Sequence, residues 1–180
     1  VSMGVSANEG AAYEAPYQSY TYDKWGNAVP APNGYVPERS VRGSDLGHTD
    51  FRSPADLFYY EDGGEIYVAD AGNNRIVVMT EDYEPVAELA VFDNNGEELT
   101  LNNPTGVFVR NDTVYIADQN NARIVVCDKE GTVSAVYGKP ESTLIEEGFE
   151  YKPNKVVVDR FGKIYVQAGG AYEGLLCHSQ

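Results

Sequence analysis

The chain has 180 residues, 42% of them hydrophobic and 12% aromatic, a profile that supports a packed core and excludes a disordered polymer. Its 13 Lys and Arg stand against 28 Asp and Glu, a formal net charge of −15 at pH 7, so a phosphate backbone is repelled and nucleic acid is not an expected partner. No apolar run approaches the roughly 18 residues that a membrane-spanning helix needs, so no membrane span is expected.

Residues 1–7, Val-Ser-Met-Gly-Val-Ser-Ala, read as the remnant of a secretory signal peptide, with Val5 and Ala7 at the two small-residue positions before a cleavage point. The expected location is secreted or extracellular, the cell surface included. Residues 8–37 form a Tyr- and Pro-rich segment in which Tyr20 to Val29 has strand character. Its Asp23-Lys24-Trp25-Gly26 lines up with Asp128-Lys129-Glu130-Gly131, and both place Asp-Lys-x-Gly between extended runs, a hairpin signal. Tyr13, Tyr17, Tyr20, Tyr22 and Trp25 cluster here, suited either to sugar or protein contacts or to packing a closing hairpin. Pro30, Pro32 and Pro37 then break the pattern, and Gly43 to Phe51 reads as a polar loop leading to Pro54.

From residue 38 to 180 the chain repeats itself. Ile66-Tyr67-Val68-Ala69-Asp70-Ala71-Gly72-Asn73-Asn74-Arg75-Ile76-Val77-Val78 returns as Val114-Tyr115-Ile116-Ala117-Asp118-Gln119-Asn120-Asn121-Ala122-Arg123-Ile124-Val125-Val126. A degraded third copy starts at Ile164-Tyr165-Val166-Gln167-Ala168, and Pro54, Pro104 and Pro153 open units at about 54–103, 104–152 and 153–180. A period near 50 residues is the mark of a repeat architecture. The spacing predicts strands at 56–60, 65–69, 75–80 and 85–92 in the first unit and at 106–110, 113–117, 123–128 and 133–137 in the second. In the third it predicts 155–159, 164–167 and 174–177, with no fourth strand. The second and third strands are apolar at nearly every position, so both of their faces are covered. Antiparallel four-stranded sheets covered on both faces and repeating in this way stack around an axis: the expected fold is an all-β β-propeller, about three four-stranded blades plus an N-terminal closing hairpin. On this count the chain is a partial propeller, with blades missing and open edges capable of self-association.

The pattern Pro-x-x-apolar-apolar followed by Ile-Tyr-Val-Ala-Asp-x-x-Asn-x-Arg-Ile-Val-Val resembles the NHL repeat over about residues 38 to 177. The third unit departs from it, with Ala168 in place of the Asp and Glu173 in place of the Arg. The opening segment, Ala15-Pro16-Tyr17 through Trp25 to Pro32, is similar to the start of secreted NHL-repeat proteins of Gram-positive bacteria. That resemblance implies an extracellular protein, often associated with carbohydrate uptake, in a family whose members usually have six blades.

Candidate chemistry lies between the second and third strands, where Asp70 and Arg75 recur as Asp118 and Arg123, with Asn74 and Asn121 on the same face. These six residues are either a ring of polar groups around one mouth of the propeller, open to a ligand, or clamps that cap each turn and hold one blade against the next. The two His, His48 and His178, are too few and too scattered for a metal or hydrolytic site. Asp93-Asn94-Asn95-Gly96-Glu97 reads as a hairpin turn rather than a calcium loop. Cys127 and Cys177 sit at equivalent places in successive units and read as two buried thiols. Neither a catalytic set nor a cofactor or metal is expected, and the primary expectation is a non-enzymatic binding or scaffolding module for protein or glycan. The competing expectation is a propeller enzyme, a metal-dependent lyase or lactone hydrolase, working at an axis lined by first strands such as Asp56-Leu57-Phe58-Tyr59.

Overall fold

The computed structural model describes residues 20–31, 39–141, 148–169 and 176–178, in two compact units, Val1–Val41 and Arg42–Gln180. The signal-peptide residues, Tyr13, Tyr17, Glu173 and the side chain of His178 lie outside the described residues. In the first unit, β1 (Tyr20–Tyr22) and β2 (Ala28–Pro30) pair antiparallel as a sheet of their own. Their turn is set by Asp23, whose Oδ1 accepts the N–H groups of Trp25 and Asn27, each at 2.9 Å, while Gly26 takes φ +83°.

The second unit begins with a short 3-10 turn, Gly43–Leu46. The polar loop expected here is tied down: Leu46 is buried, and Ser44 donates its N–H to Asp50 Oδ1 at 3.0 Å. The first blade then runs β3 (Pro54–Tyr60), β4 (Glu65–Asp70), β5 (Arg75–Thr80) and β6 (Pro85–Leu89), hydrogen-bonded in that order. A separate hairpin follows, β7 (Val91–Asn94) and β8 (Glu97–Thr100), turned by Asn95 and Gly96 at positive φ, 56° and 88°. The second blade repeats the first as β9 (Pro104–Arg110), β10 (Thr113–Asp118), β11 (Arg123–Cys127) and β12 (Val133–Tyr137). The third sheet contributes β13 (Lys152–Val158), β14 (Ile164–Gly169) and β15 (Leu176–His178) among the described residues.

Pro54 and Pro104 are the first residues of their innermost strands and Pro153 is the second of its own, where a missing N–H does no harm at a sheet edge. The edge strands β3, β9 and β13 run beside one another, so the sheets fan out from a common line, as propeller blades do. Tyr67, Ala69, Ile76 and Val78 of the first blade meet Val107, Val109, Val114, Ile116, Val125 and Cys127 of the second, with Phe92, Leu99 and Leu101 closing that core from the intervening hairpin. Ala117, Ile124 and Val126 on the other face of the second blade meet Val156, Val158, Ile164 and Val166 of the third. Each such aliphatic side chain contributes about 1.5–3 kcal/mol when fully buried, so stacking, rather than any sheet alone, holds the blades.

Two expectations are corrected here. The last strand of the first blade ends at Leu89 instead of continuing to Phe92, because Phe92 belongs to the added hairpin and packs into the core between blades. Cys127 is a buried thiol as expected, and burial pushes it up to about 12. Cys177 is a thiol but is exposed. Cys127 pairs across with Val114, whereas Cys177 pairs with Tyr165, the counterpart of Tyr115. That one-residue offset turns Cys177 to the opposite face of its sheet from Cys127.

Candidate functional site

The Asp of each repeat ends the second strand, and a single 3-10 turn carries the chain into the third: Ala71–Asn73 in the first blade, Gln119–Asn121 in the second. Asn74 and Ala122 close these turns in the left-handed region, at φ 56° and 51°, where Asn is at ease and Ala is strained. Asp70 is fully buried: its Oδ1 accepts the Arg52 N–H at 2.7 Å, and its Oδ2 accepts the Asn73 amide and Arg75 Nε, both at 2.8 Å. Arg75, 4% exposed, also donates to Glu88 at 3.1 Å and to the Thr49 carbonyl at 2.6 Å. Asp118 repeats the scheme, accepting the Asn102 N–H at 2.7 Å, the Asn121 amide at 2.9 Å and Arg123 Nε at 2.7 Å. Arg123 reaches the Thr100 carbonyl at 2.8 Å but keeps 24% of its side-chain surface in solvent. Each clamp therefore ties the segment leading into a blade to that blade's second turn. Ala168 takes the position opposite Pro153 that Asp70 and Asp118 take opposite Pro54 and Pro104, so the third sheet lacks the carboxylate of the clamp.

Of the six candidate residues, Asp70, Asp118 and Arg75 present almost nothing to solvent, whereas Asn74 and Asn121 are exposed and Arg123 is partly so. The structure adds residues that the sequence reading missed. Asn74 Oδ1 accepts the Asn103 N–H at 2.8 Å, the Asn103 amide donates to Gln119 Oε1 at 2.7 Å, and Gln119 donates to Asn154 Oδ1. This chain of carboxamides crosses from the first blade through the second to the third. Asn102 and Asn120 stand exposed beside it, bonded to each other at 3.2 Å. Among these, only the link from Asn103 to Pro104 carried a sequence signal, since the proline marks where a blade opens.

At the inner edge, Lys155 Nζ of β13 reaches both carboxylate oxygens of Asp56 on β3, and Asp56 Oδ2 accepts the Val107 N–H of β9 at 2.9 Å. Asp56, Gly106 and Lys155 each follow their blade's proline by two residues, so one repeat position carries a carboxylate, no side chain and an ammonium in turn. Gly106 is required: a Cβ there would lie 2.7 Å from the Asn154 carbonyl oxygen and 3.0 Å from Lys155 Cα. His48 Nδ1 lies 2.7 Å from Glu88 Oε2. Among the described residues, no group of three or more His, Cys, Asp or Glu is placed to hold a metal ion.

The stacked four-stranded sheets define a chain of β-propeller type. The NHL repeat family matches residues 51–79, the leading segment and first three strands of the first blade, and the second blade copies the same strand and clamp pattern. The chain thus carries an NHL repeat at residues 51–79. It is 34% identical over 94 residues to human NHL repeat-containing protein 3, a match covering 49% of this chain and 26% of the relative, so it spans about a quarter of that protein's length. Among solved structures, hydrazine synthase from Kuenenia stuttgartiensis superposes with a TM-score of 0.51 at 14% identity, covering 78% of this chain and 34% of that one. Virginiamycin B lyase from Staphylococcus aureus gives a TM-score of 0.44 at 14% identity, over 89% of this chain and 48% of the lyase.

Proposed function

We propose that this NHL-repeat chain is a secreted or cell-surface binding and scaffolding module, without catalysis of its own, that engages a protein or glycan through the blade end carrying the second turns. The observation behind this reading is the division of labour within each repeat. The charged pair is withdrawn into a clamp, while Asn74, Asn102, Asn120, Asn121 and the outer part of Arg123 remain at the surface above it. Carboxamides offer a donor and an acceptor side by side, which suits hydroxyl groups and peptide bonds alike. They are held on short turns between rigid strands, so little ordering is needed on binding. The chain's net charge of −15 disfavours a polyanion as the ligand of this face.

The test is capture on arrays of neutral glycans and of extracellular proteins, comparing the native chain with Asn121→Ala combined with Arg123→Gln. Loss of a captured ligand by the double variant, with its thermal unfolding still cooperative, supports the reading. Retention of every captured ligand moves the site elsewhere. Measured turnover of a lactone or a cyclic ester by the isolated chain would overturn the non-catalytic part.

A further inference from the structure

Three turns among the described residues share one construction. Asp23, Asp128 and Asp159 each accept, at Oδ1, the N–H groups two and four residues on, at 2.9 and 2.9 Å, 3.1 and 2.7 Å, and 2.8 and 3.0 Å respectively. Each is followed three residues later by a glycine at φ 83°, 90° or 83°. The residue two after the Asp is thereby displayed at the tip of a stiff turn. In two of the three it is a large aromatic preceded by a cation: Trp25, 75% exposed, with Lys24 Nζ 4.2 Å from its ring centroid, and Phe161, 80% exposed, with the Arg160 guanidinium 4.7 Å from its ring. Folding gains nothing from rings so exposed.

The Phe161 turn has the fuller setting. Lys163 Nζ lies 5.4 Å from the half-buried ring of Tyr165, whose hydroxyl donates to Asp159 Oδ2 at 3.2 Å. Arg110 donates to the Val158 carbonyl at 3.5 Å, which brings a third cation to the same end of β13. The carboxylate in contact with this group, Asp159, is committed to its own turn and to Tyr165. A chain whose acidic residues outnumber its basic ones by more than two to one thus concentrates three cations and two aromatic rings at one corner.

We infer that the corner formed by Arg110, Arg160, Phe161, Lys163 and Tyr165 binds an acidic polysaccharide, with the Phe161 ring against the C–H face of a pyranose and the guanidinium and ammonium groups on its carboxylates. Arg160 covers one face of the ring and leaves the other free, and the planar guanidinium fork matches a carboxylate. A bilayer of anionic lipid meets the whole charge of −15, whereas a single polymer strand meets this corner alone. An acidic peptide supplies the carboxylates but not the flat C–H face that an exposed ring selects. The inference rests on the binding-module reading but uses a different surface, so the two fail separately.

The probe is polygalacturonate, titrated into the full chain at low and at physiological salt, beside polyglutamate, a neutral galactan and phosphatidylglycerol vesicles. We expect polygalacturonate to bind, with affinity about tenfold weaker for Phe161→Ala and for Arg160→Gln, and unchanged for Asn121→Ala with Arg123→Gln. Phe161→Ala leaves thermal stability unaltered because the ring is exposed, so a lost signal is not unfolding. Absence of polygalacturonate binding at low salt overturns the inference, as does equal binding by Phe161→Ala. Polyglutamate bound as tightly as polygalacturonate would show charge alone, and binding to the vesicles only would assign the corner to a lipid surface. If the corner variants lose polygalacturonate while ligands on the turn face are retained, both readings stand.

Discussion

Replacing Arg75 with Ala separates a clamp from a ligand contact, and the structure sets the size of the effect. The guanidinium is 4% exposed and makes three bonds, to Asp70, Glu88 and the Thr49 carbonyl. Without it the Asp70 carboxylate stays buried with the Arg52 N–H and the Asn73 amide but no cation, a situation that costs about 3–5 kcal/mol. Arg123→Ala removes the same partner from Asp118, yet Arg123 is 24% exposed on its side chain and makes two bonds, so water enters more readily and the cost is about 1.5–3 kcal/mol. Urea unfolding followed by far-ultraviolet circular dichroism reads both, with the midpoint falling further for Arg75→Ala. Adding Asp70→Asn to Arg75→Ala should return part of the loss, because the penalty belongs to the orphaned charge. If Arg75→Ala costs under about 1 kcal/mol, or no more than Arg123→Ala, the clamp argument is wrong and the guanidinium is free to serve a ligand.

Tyr151 is 3% exposed and its hydroxyl has no hydrogen-bond partner among the described residues, while burial pushes its pKa up to about 12. Tyr151→Phe should therefore be neutral or stabilising by about 1 kcal/mol in the same urea titration, and a loss of that size would reveal a partner for the hydroxyl. Gly106→Ala should destabilise by about 1–3 kcal/mol, since the atoms in its way are backbone, and an unchanged midpoint would contradict the close approach of β9 and β13. At Asp128 and Asp159 burial is the largest single influence and raises the carboxyl, but the hydrogen bonds from Thr132, Glu130 and Gly131 at the first and from Lys163, Phe161 and Tyr165, with the Lys163 charge, at the second together outweigh it, and both are held below the usual 3.8. A depressed folded value means stability that is complete above the ordinary carboxylate range and is lost as pH falls through the lower folded values. Asp128→Asn with Asp159→Asn should flatten the acid limb of stability measured from pH 5 downward, and an unchanged slope would refute the assignment.

Strand positions were legible because the repeat supplies the same signal more than once: the apolar pair Ile76-Val77-Val78 and Ile124-Val125-Val126 marks third strands, and Asn95-Gly96 marks a two-residue turn by its need for positive φ. The clamp residues were legible as a set, but their burial was not. Arg75 is sealed because the segment carrying Thr49 lies over it, while Arg123 faces the shorter approach from Thr100, and neither difference is written near the arginine. The carboxamide chain was illegible for a related reason. Asn103, Gln119 and Asn154 occupy unlike positions in their repeats and meet only once neighbouring blades are stacked. The offset of Cys177 escaped because counting 50 residues from Cys127 assumes that the degraded third repeat keeps register, and its pairing with Tyr165 shows that it does not.

The bridge from Lys155 to Asp56 changes what kind of object this stack is. In a linear array each repeat feels only its neighbours, so energies add along the chain, and unfolding can begin at one end and stop part-way. Here a bond spans 99 residues and skips a blade, and the carboxylate it reaches is also held by the N–H of the blade it skips. Opening the third blade then weakens the first as well, so the three lose the freedom to melt one at a time. Bringing together groups so distant in sequence also demands a large loop closure before any return, which slows folding relative to an array with local contacts alone. Gly106, whose missing side chain lets β13 approach β9, keeps Lys155 close to the inner edge.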